Sequence, residues 1–220
     1  MPEPIVLDWD GGAAAALSLR QLEMEGAYRT ECLFLPIAPD GRVMRSGLSR
    51  VTAEAQVAAL GKHLEAVEVP EPCSQAAWEA TFTPVLQPLV RRLVRGVVFP
   101  VHGGAQWRQE MEHYLISMGM RGVFPMWNKD PLETCRLFEV IGMRAIVSAV
   151  DTERMGEEHL GRPWDREFVA GLPPGVDGLG TDGAFATFCF DGPIFPEPLA
   201  WKAGPIVTRG DQRLLEILPG

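Results

Sequence analysis

The residues that follow the first apolar run lie at a position where α/β folds hold phosphate. Ile5-Val6-Leu7 predicts a short strand, and Trp9-Asp10-Gly11-Gly12 turns the chain into a helix-forming run that begins at Ala13. In a parallel sheet, ligands bind beyond the carboxyl ends of the strands. A glycine turn that opens a helix there offers backbone N–H groups and the positive end of the helix dipole to an anion. The candidate nucleotide-binding residues are therefore Trp9, Asp10, Gly11 and Gly12.

The side chains around this glycine turn are not those of a working phosphate loop. Such a loop usually adds a lysine for the outer phosphates and hydroxyl groups for phosphate or metal. Here the glycines are followed by Ala13, Ala14 and Ala15, and Asp10 adds a negative charge that repels phosphate. A plain tight turn into the first helix is the alternative interpretation. No metal site is predicted, and ATP with magnesium is expected only if this cleft remains competent.

A second interpretation rests on the two carboxylates of this segment. Residues Val6 to Gly12 resemble the first motif of haloacid-dehalogenase-type phosphatases, in which an apolar strand precedes Asp-x-Asp-Gly. The resemblance implies that Asp8 is the nucleophile on phosphorus and Asp10 the general acid, with magnesium offsetting their charge. Such enzymes also need a serine or threonine, a lysine and a further acidic pair. The late candidate, Gly210-Asp211, has no acidic partner shortly after it.

Composition and charge limit the class of protein. The chain has 220 residues, 46% of them hydrophobic and 22% charged, which is typical of a globular protein with a sizeable core. A formal net charge of −9 does not favour binding to nucleic acid or to an anionic membrane. The four cysteines form no CxxC pair, and the N-terminus shows no signal peptide. We therefore expect a cytoplasmic protein that binds a small-molecule ligand or a protein partner, that binds neither nucleic acid nor membrane, and whose assembly into a homo-oligomer is left open.

Strand-like and helix-like segments alternate along the first two thirds of the chain. In the third helix, Pro84 and Pro88 predict two pieces or a kink. The alternation predicts an α/β fold with a mostly parallel sheet that helices cover on both faces. Strands are predicted at residues 5–7, 30–35, 66–69, 96–101, 122–124 and 145–150, and helices at residues 13–22, 52–64, 74–94, 106–118 and 130–141.

The composition and periodicity of the sequence change after Asp151. Glycine and proline become dense in the segment 171–175, and helical periodicity fades. We therefore predict a smaller C-terminal α+β lobe, with domains at residues 1–121 and 122–220. The last ten or so residues are expected to form a loosely held tail.

Segments in a fixed order carry a resemblance to the diphthine–ammonia ligase family. Val6-Leu7, Trp9 and the glycine pair are followed by the strand at 96–99 and by Phe-Pro-x-Trp-x-x-Asp at 124–130. The likeness covers roughly residues 4 to 200, and its specific parts are the 124–130 motif and the C-terminal run. That run contains Leu160-Gly161-Arg162, Asp165, Phe168 and the segments 172–177, 180–188 and 191–195.

The resemblance implies both a fold and a chemistry. The fold is an HUP-like (Rossmann-like) domain of the adenine-nucleotide α-hydrolase type, followed by a smaller C-terminal substrate lobe. In the chemistry, ATP adenylates a carboxylate, ammonia displaces AMP and an amide forms. The family's substrate in eukaryotes and archaea is diphthine on elongation factor two. Bacterial relatives resemble amidoligases or nucleotide-binding proteins of other roles, including proposed cobalamin salvage.

The family's reactive side chains are missing at the matching positions. Its first loop, Ser-Gly-Gly-Lys-Asp-Ser, falls on residues 10–15, where only the two glycines remain. The acid of its Gly-Asp-Ile falls on Val101. Its Gly-Glu-x-Gly-Glu-x-His/Glu-Thr falls on residues 180–187, where both glutamates and the third polar position are replaced. The framework persists at Trp127, Asp130, Gly161, Arg162, Pro193 and Phe195.

The losses fall on positions that would bind phosphate, metal or the reacting carboxylate. Losing several groups that act together leaves little adenylation chemistry, and a fold can persist without its reaction. We therefore predict a degenerate family member that acts as a binding or scaffold protein with a remodelled nucleotide cleft. The alternatives are an active AMP-forming amidoligase with a non-standard site and the phosphatase that uses Asp8 and Asp10. His102 is interpreted as a structural residue rather than as a ligand or base. Candidates on the C-terminal side of the cleft are Trp127, Lys129, Asp130, Gly180, Asp182, Gly183 and Thr187.

Overall fold

The computed structural model describes residues 1–100 and 104–220, and its N-terminal half is built on a five-stranded sheet. The strand order is β3-β2-β1-β4-β5, and all pairings in this sheet are parallel. The predicted parallel sheet is therefore confirmed. The strands are β1 (Glu3–Asp8), β2 (Tyr28–Ile37), β3 (Leu64–Glu68), β4 (Gly96–Val98) and β5 (Arg121–Val123).

Helices cover both faces of this sheet, as predicted. Helices α1 (Ala13–Glu25) and α2 (Arg50–Ala59) pack on one face, and α3 (Gln75–Arg91) and α4 (Ala105–Ser117) pack on the other. Side chains alternate between the two faces along a strand, so Leu7 joins the first core and its neighbour Val6 joins the second. The strand order reverses between β1 and β4. In folds of this kind, the carboxyl ends of two such strands open a crevice for ligands.

The C-terminal part of the chain forms a second, antiparallel sheet with the order β7-β6-β9-β8. Helix α1 contacts β7 and α2 contacts β9, so these two helices lie between the sheets within one continuous core. The predicted C-terminal α+β lobe is confirmed. The boundary between residues 121 and 122 stays a prediction, and β5 spans it. The elements of this lobe are α5 (Pro131–Val140), β6 (Arg144–Asp151), a 3-10 turn (Glu157–His159), α6 (Arg166–Ala170), β7 (Phe185–Asp191), β8 (Trp201–Arg209) and β9 (Gln212–Pro219).

The expected loose tail is wrong. The last residues form β9, which pairs with β6 on one side and with β8 on the other. Leu214 and Ile217 are each only 2% exposed and belong to the core. The apolar run Leu214-Leu215-Glu216-Ile217-Leu218 is a strand former, and its position at the end of the chain did not outweigh the apolar surface that it buries.

Two helix predictions also need correction. The second helix ends at Ala59 rather than at Leu64, because Gly61 adopts a positive φ of 62° after the last turn, and Leu64 begins β3 instead. Helix α3 is continuous through both prolines, so its division into two pieces is wrong. Pro84 and Pro88 lie on the exposed side of the helix, where their missing N–H groups leave no buried acceptor unpaired. Within the described part of the chain, no helix combines the length and apolar content that a membrane span requires.

Candidate functional site

The larger of two cavities at the cleft opens at the carboxyl end of β1 and has a volume of about 390 Å³. We call it the tryptophan cavity, after Trp78 of α3 and Trp107 of α4 in its wall. Its position beside the reversal of strand order is where ligands bind in open α/β sheets. Its other lining residues are Asp8, Trp9, Asp10, Pro36, Val43, Met44, Arg45, Cys73, Ser74, Gln75 and Glu110.

A second cavity of about 240 Å³, which we call the loop cavity, lies between the first glycine turn and the segment that leads into β7. Asp10 and Arg45 line both cavities, so these two side chains stand between them. The structure thus brings the first loop and the distant segment 180–187 face to face. The remaining lining residues of the loop cavity are Gly12, Ala14, Leu179, Gly180, Thr181, Asp182, Gly183, Phe185, Ala186 and Thr187.

The backbone N–H groups of the glycine turn are already used within the protein. Gly12 N donates to Asp10 Oδ1 at 2.9 Å, and Ala13 N donates to Thr187 Oγ1 at 2.9 Å. These are the first donors at the N-terminus of α1, where an anion would otherwise bind. A phosphate group at this turn would have to displace a carboxylate and a buried hydroxyl.

Gln56 of α2 joins this turn to the second sheet. Its Nε2 donates to the carbonyl oxygens of Gly11 at 2.9 Å and Cys189 at 2.7 Å, and its Oε1 accepts from Trp9 Nε1 at 2.9 Å. Cys189 N in turn donates to Gly11 O at 2.9 Å. Trp9, proposed from the sequence as a nucleotide contact, is fully buried, so its indole is held by the core beneath the cavity.

Gly11 is fixed by both conformation and space. Its φ is 84°, a value that side-chain-bearing residues rarely adopt. A Cβ atom there would lie 2.6 Å from Leu48 Cδ1 and 2.8 Å from Gln56 Oε1. At Gly12, a Cβ would lie 3.0 Å from Thr187 Oγ1. The glycine pair is therefore explained by close packing against neighbouring elements, without any ligand.

The carboxylates of Asp8 and Asp10 share one cation. Arg45 Nη2 lies 3.3 Å from Asp8 Oδ2, and the Asp8 side chain is 14% exposed. Burial raises the pKa of Asp8 to about 6, with a further increase from Asp10, while Arg45 opposes the shift. Burial also raises the pKa of Asp10, against the N–H of Gly12 and the charge of Arg45. Both carboxylates of the cleft therefore lose their protons less readily than an exposed aspartate does.

Asp182 has a structural role in its turn. Its carboxylate pairs with Arg154 and accepts from the N–H groups of Asp177 and Ala184, each at 3.1 Å. Burial acts to raise the pKa of Asp182, but these hydrogen bonds and Arg154 lower it below its ordinary value. The side-chain hydroxyl of Thr181 is likewise bound to Asp177. The carboxylate of Asp182 is therefore engaged in hydrogen bonds and an ion pair within its own turn.

The structure separates the predicted C-terminal candidates into two groups. Gly180, Asp182, Gly183 and Thr187 line the loop cavity. Trp127, Lys129 and Asp130 line neither cavity. The guanidinium of Arg108 lies 4.7 Å from the ring centre of Trp127, and Asp130 Oδ1 caps α5 by accepting from Glu133 N at 2.8 Å. Lys129 is exposed, and His102 and Val101 lie outside the described residues.

Several residues of the cleft escaped the sequence analysis. Arg45, Trp78, Trp107 and Glu110 are brought to it by the packing of a loop and two helices, and no local motif marks them. Gln56 did leave a signal, because it stands on the buried side of α2 with Ala53 and Val57, where a polar residue needs a partner. Within residues 1–100 and 104–220, no three histidine, cysteine or acidic residues are placed to hold a metal ion.

A comparison with known protein families finds a match in the C-terminal lobe. Residues 130–212 match the family model of the diphthamide synthase C-terminal domain. This match confirms, over that segment, the resemblance to the diphthine–ammonia ligase family. No curated protein matches the chain. Among solved structures, a protein of Methanocaldococcus jannaschii described as a predicted subunit of tRNA methyltransferase is similar at 12% identity, with a TM-score of 0.41, and the match covers 70% of this chain and 81% of that one.

Proposed function

We propose that this chain is a ligand-binding protein that keeps the fold and the cleft of its family but does not carry out ATP-dependent amidation. The observation that carries the proposal is the use of the loop's own N–H donors. Asp10 accepts from Gly12 and Thr187 accepts from Ala13, so the first two N–H donors at the start of α1 are bound to protein groups.

The charges of the cleft support the same proposal. A nucleoside triphosphate needs cations to balance the charge of its phosphates. Here Asp8 and Asp10 lie at the point where those phosphates would enter, and Arg45 already pairs with Asp8. Loss of a single transition-state donor typically costs about 3 kcal/mol of barrier. Losses on both sides of one cavity act on the same transition state, so their combined effect removes the reaction.

Measurement of AMP formation tests this proposal. The purified protein is incubated with ATP, magnesium, ammonium and a panel of carboxylic acids, and AMP is quantified against a protein-free control. We expect no AMP above that control, because residues 9–15 of the turn contain no lysine or hydroxyl side chain to hold the outer phosphates. Ammonium-dependent AMP formation that scales with protein concentration would overturn the proposal in favour of an amidoligase with a non-standard site.

The phosphatase alternative has one observation in its favour. Asp8 and Asp10 both face the tryptophan cavity, two residues apart at the end of a central strand. Incubation with p-nitrophenyl phosphate and magnesium separates this alternative from the binding proposal. Hydrolysis that Asp8→Asn abolishes would support a phosphatase, whereas absence of magnesium-dependent hydrolysis would leave the binding proposal as the account of the cleft.

A further inference from the structure

We propose that the tryptophan cavity binds an organic cation, an amine whose ammonium group meets the carboxylates and whose apolar body lies against the tryptophans. The inference deepens the proposed function by naming the class of ligand, and it depends on that function for the premise that the cleft serves binding. It uses the described lining residues alone.

Charge favours a cation in this cavity. Among the described residues that line it, three carboxylates, from Asp8, Asp10 and Glu110, stand against the one guanidinium of Arg45. Arg45 is already engaged with Asp8. The positive end of α3 also lies at the rim, but Ser74 caps it by accepting from Ala77 N at 3.2 Å. The balance remains negative, so an amine is attracted and an anion is repelled.

Asp8 and Asp10 each keep one carboxylate oxygen to which no other described residue donates. Arg45 contacts only Oδ2 of Asp8, and Gly12 N contacts only Oδ1 of Asp10. Gln106 Nε2 donates to one oxygen of Glu110 at 2.9 Å. An ammonium group carries three N–H donors, which suits carboxylate oxygens that line one cavity.

The aromatic walls are rigid and suit the rest of such a ligand. Trp78 stacks on Phe82 with ring centres 4.2 Å apart, and Tyr114 meets it edge-on at 5.5 Å. Trp107 meets Phe99 edge-on at 5.2 Å. Both tryptophans are half-buried, so each leaves part of its ring at the cavity. Aromatic faces attract cations, and a cavity of about 390 Å³ accommodates a small organic molecule.

A series of three ligands with one shape and different charges tests this inference. The probes are 2-phenylethylamine, its neutral counterpart 2-phenylethanol and the anion phenylacetate, each titrated into the full-length protein by calorimetry. We expect the amine to bind at least about tenfold more tightly than the alcohol, because charge-assisted hydrogen bonds form only with the amine. The anion is expected to bind most weakly of the three.

Two conservative variants locate the site. Asp10→Asn removes the charge and keeps an oxygen that accepts from Gly12 N. Glu110→Gln likewise removes a charge on α4 and keeps an oxygen that can accept from Gln106. Each is expected to weaken amine binding by about tenfold and to leave alcohol binding unchanged. Glu54→Gln is the matched control, because it removes one negative charge from an exposed residue that lines neither cavity.

The outcomes separate this inference from the proposed function. Equal binding of amine and alcohol, tighter binding of phenylacetate, binding of no probe, or an unchanged affinity in Asp10→Asn would each overturn the cation proposal. None of these binding results bears on AMP formation, so the proposed absence of amidation would stand. Conversely, AMP formation overturns the proposed function whichever probe binds.

Discussion

Asp8 lies at the centre of the cleft, and its ionisation opposes folding. Its pKa is raised from 3.8 to about 6, so the folded state holds the proton more tightly than the unfolded chain does. Stability is therefore unaffected by this group below about pH 4, falls as pH rises towards about 6, and stays reduced above that value. Among the described residues, the other charged groups that line the cavity with Asp8 are Asp10, Arg45 and Glu110.

The Asp8→Asn variant is expected to change stability in a pH-dependent way. Asparagine cannot ionise, so the variant should be more stable than the native protein by about 1–3 kcal/mol near pH 8 and by about a third of that margin near pH 4.5. Urea unfolding at both pH values measures the difference. A variant that is destabilised equally at the two pH values would show that Asp8 acts through packing instead.

Gly11 offers a second prediction at the scale of a single residue. Gly11→Ala should lower the free energy of unfolding by about 2–4 kcal/mol, since it adds backbone strain and forces Leu48 and Gln56 apart. Gly41→Ala is the matched control, because Gly41 has a similar φ of 77° but nothing within 4 Å of an added Cβ. Denaturant unfolding measures the loss of free energy of unfolding in each variant. The difference between the two losses gives the steric contribution at Gly11. Equal losses would mean that the turn can open around a side chain.

At the scale of elements, β9 carries more stability than its place in the sequence suggests. Leu214 is 2% exposed, whereas Leu218 in the same strand is 46% exposed. Leu214→Ala should cost about 2–4 kcal/mol, and Leu218→Ala should change stability by no more than about 0.5 kcal/mol. Thermal unfolding followed by circular dichroism compares them. Similar small effects from both variants would indicate that the strand contributes little to the core.

The elements of the first sheet could be predicted from sequence because each is a local pattern. Ile5-Val6-Leu7 and the run that begins at Ala13 read as strand and helix without any knowledge of their neighbours. The end of α2 depended on the conformation of Gly61, and β9 depended on its pairing with β6 and β8. The glycine after α2 is a local stop signal that the helical prediction left out, whereas β9 is decided by tertiary pairing, which local periodicity does not predict.

The candidate site was predicted only where its residues follow one another in the chain. Asp8, Asp10 and the glycine pair form one segment, and the family resemblance placed the segment 180–187 opposite them. Arg45 and the two tryptophans of the cavity come from separate elements, and nothing in their local sequence indicates that they meet. The occupation of the loop's N–H groups likewise depends on Thr187, which lies 174 residues from Ala13.

At the scale of the whole molecule, the two sheets close on α1 and α2 and fix the glycine turn between them. Cys189 N and Gln56 Nε2 both donate to the carbonyl of Gly11, so the turn is part of the interface between the sheets. In the same interface, the N–H groups of Gly12 and Ala13 are bound to Asp10 and Thr187.

Calorimetric titration of magnesium–ATP into the purified, folded protein tests this account most directly. Because Asp10 and Thr187 hold the N–H groups that phosphate would need, the account predicts no binding below roughly millimolar ATP. Circular dichroism of the same sample confirms that it is folded. Saturable binding of magnesium–ATP with a micromolar Kd would contradict the account, because it would require the turn to release both internal hydrogen bonds to the nucleotide.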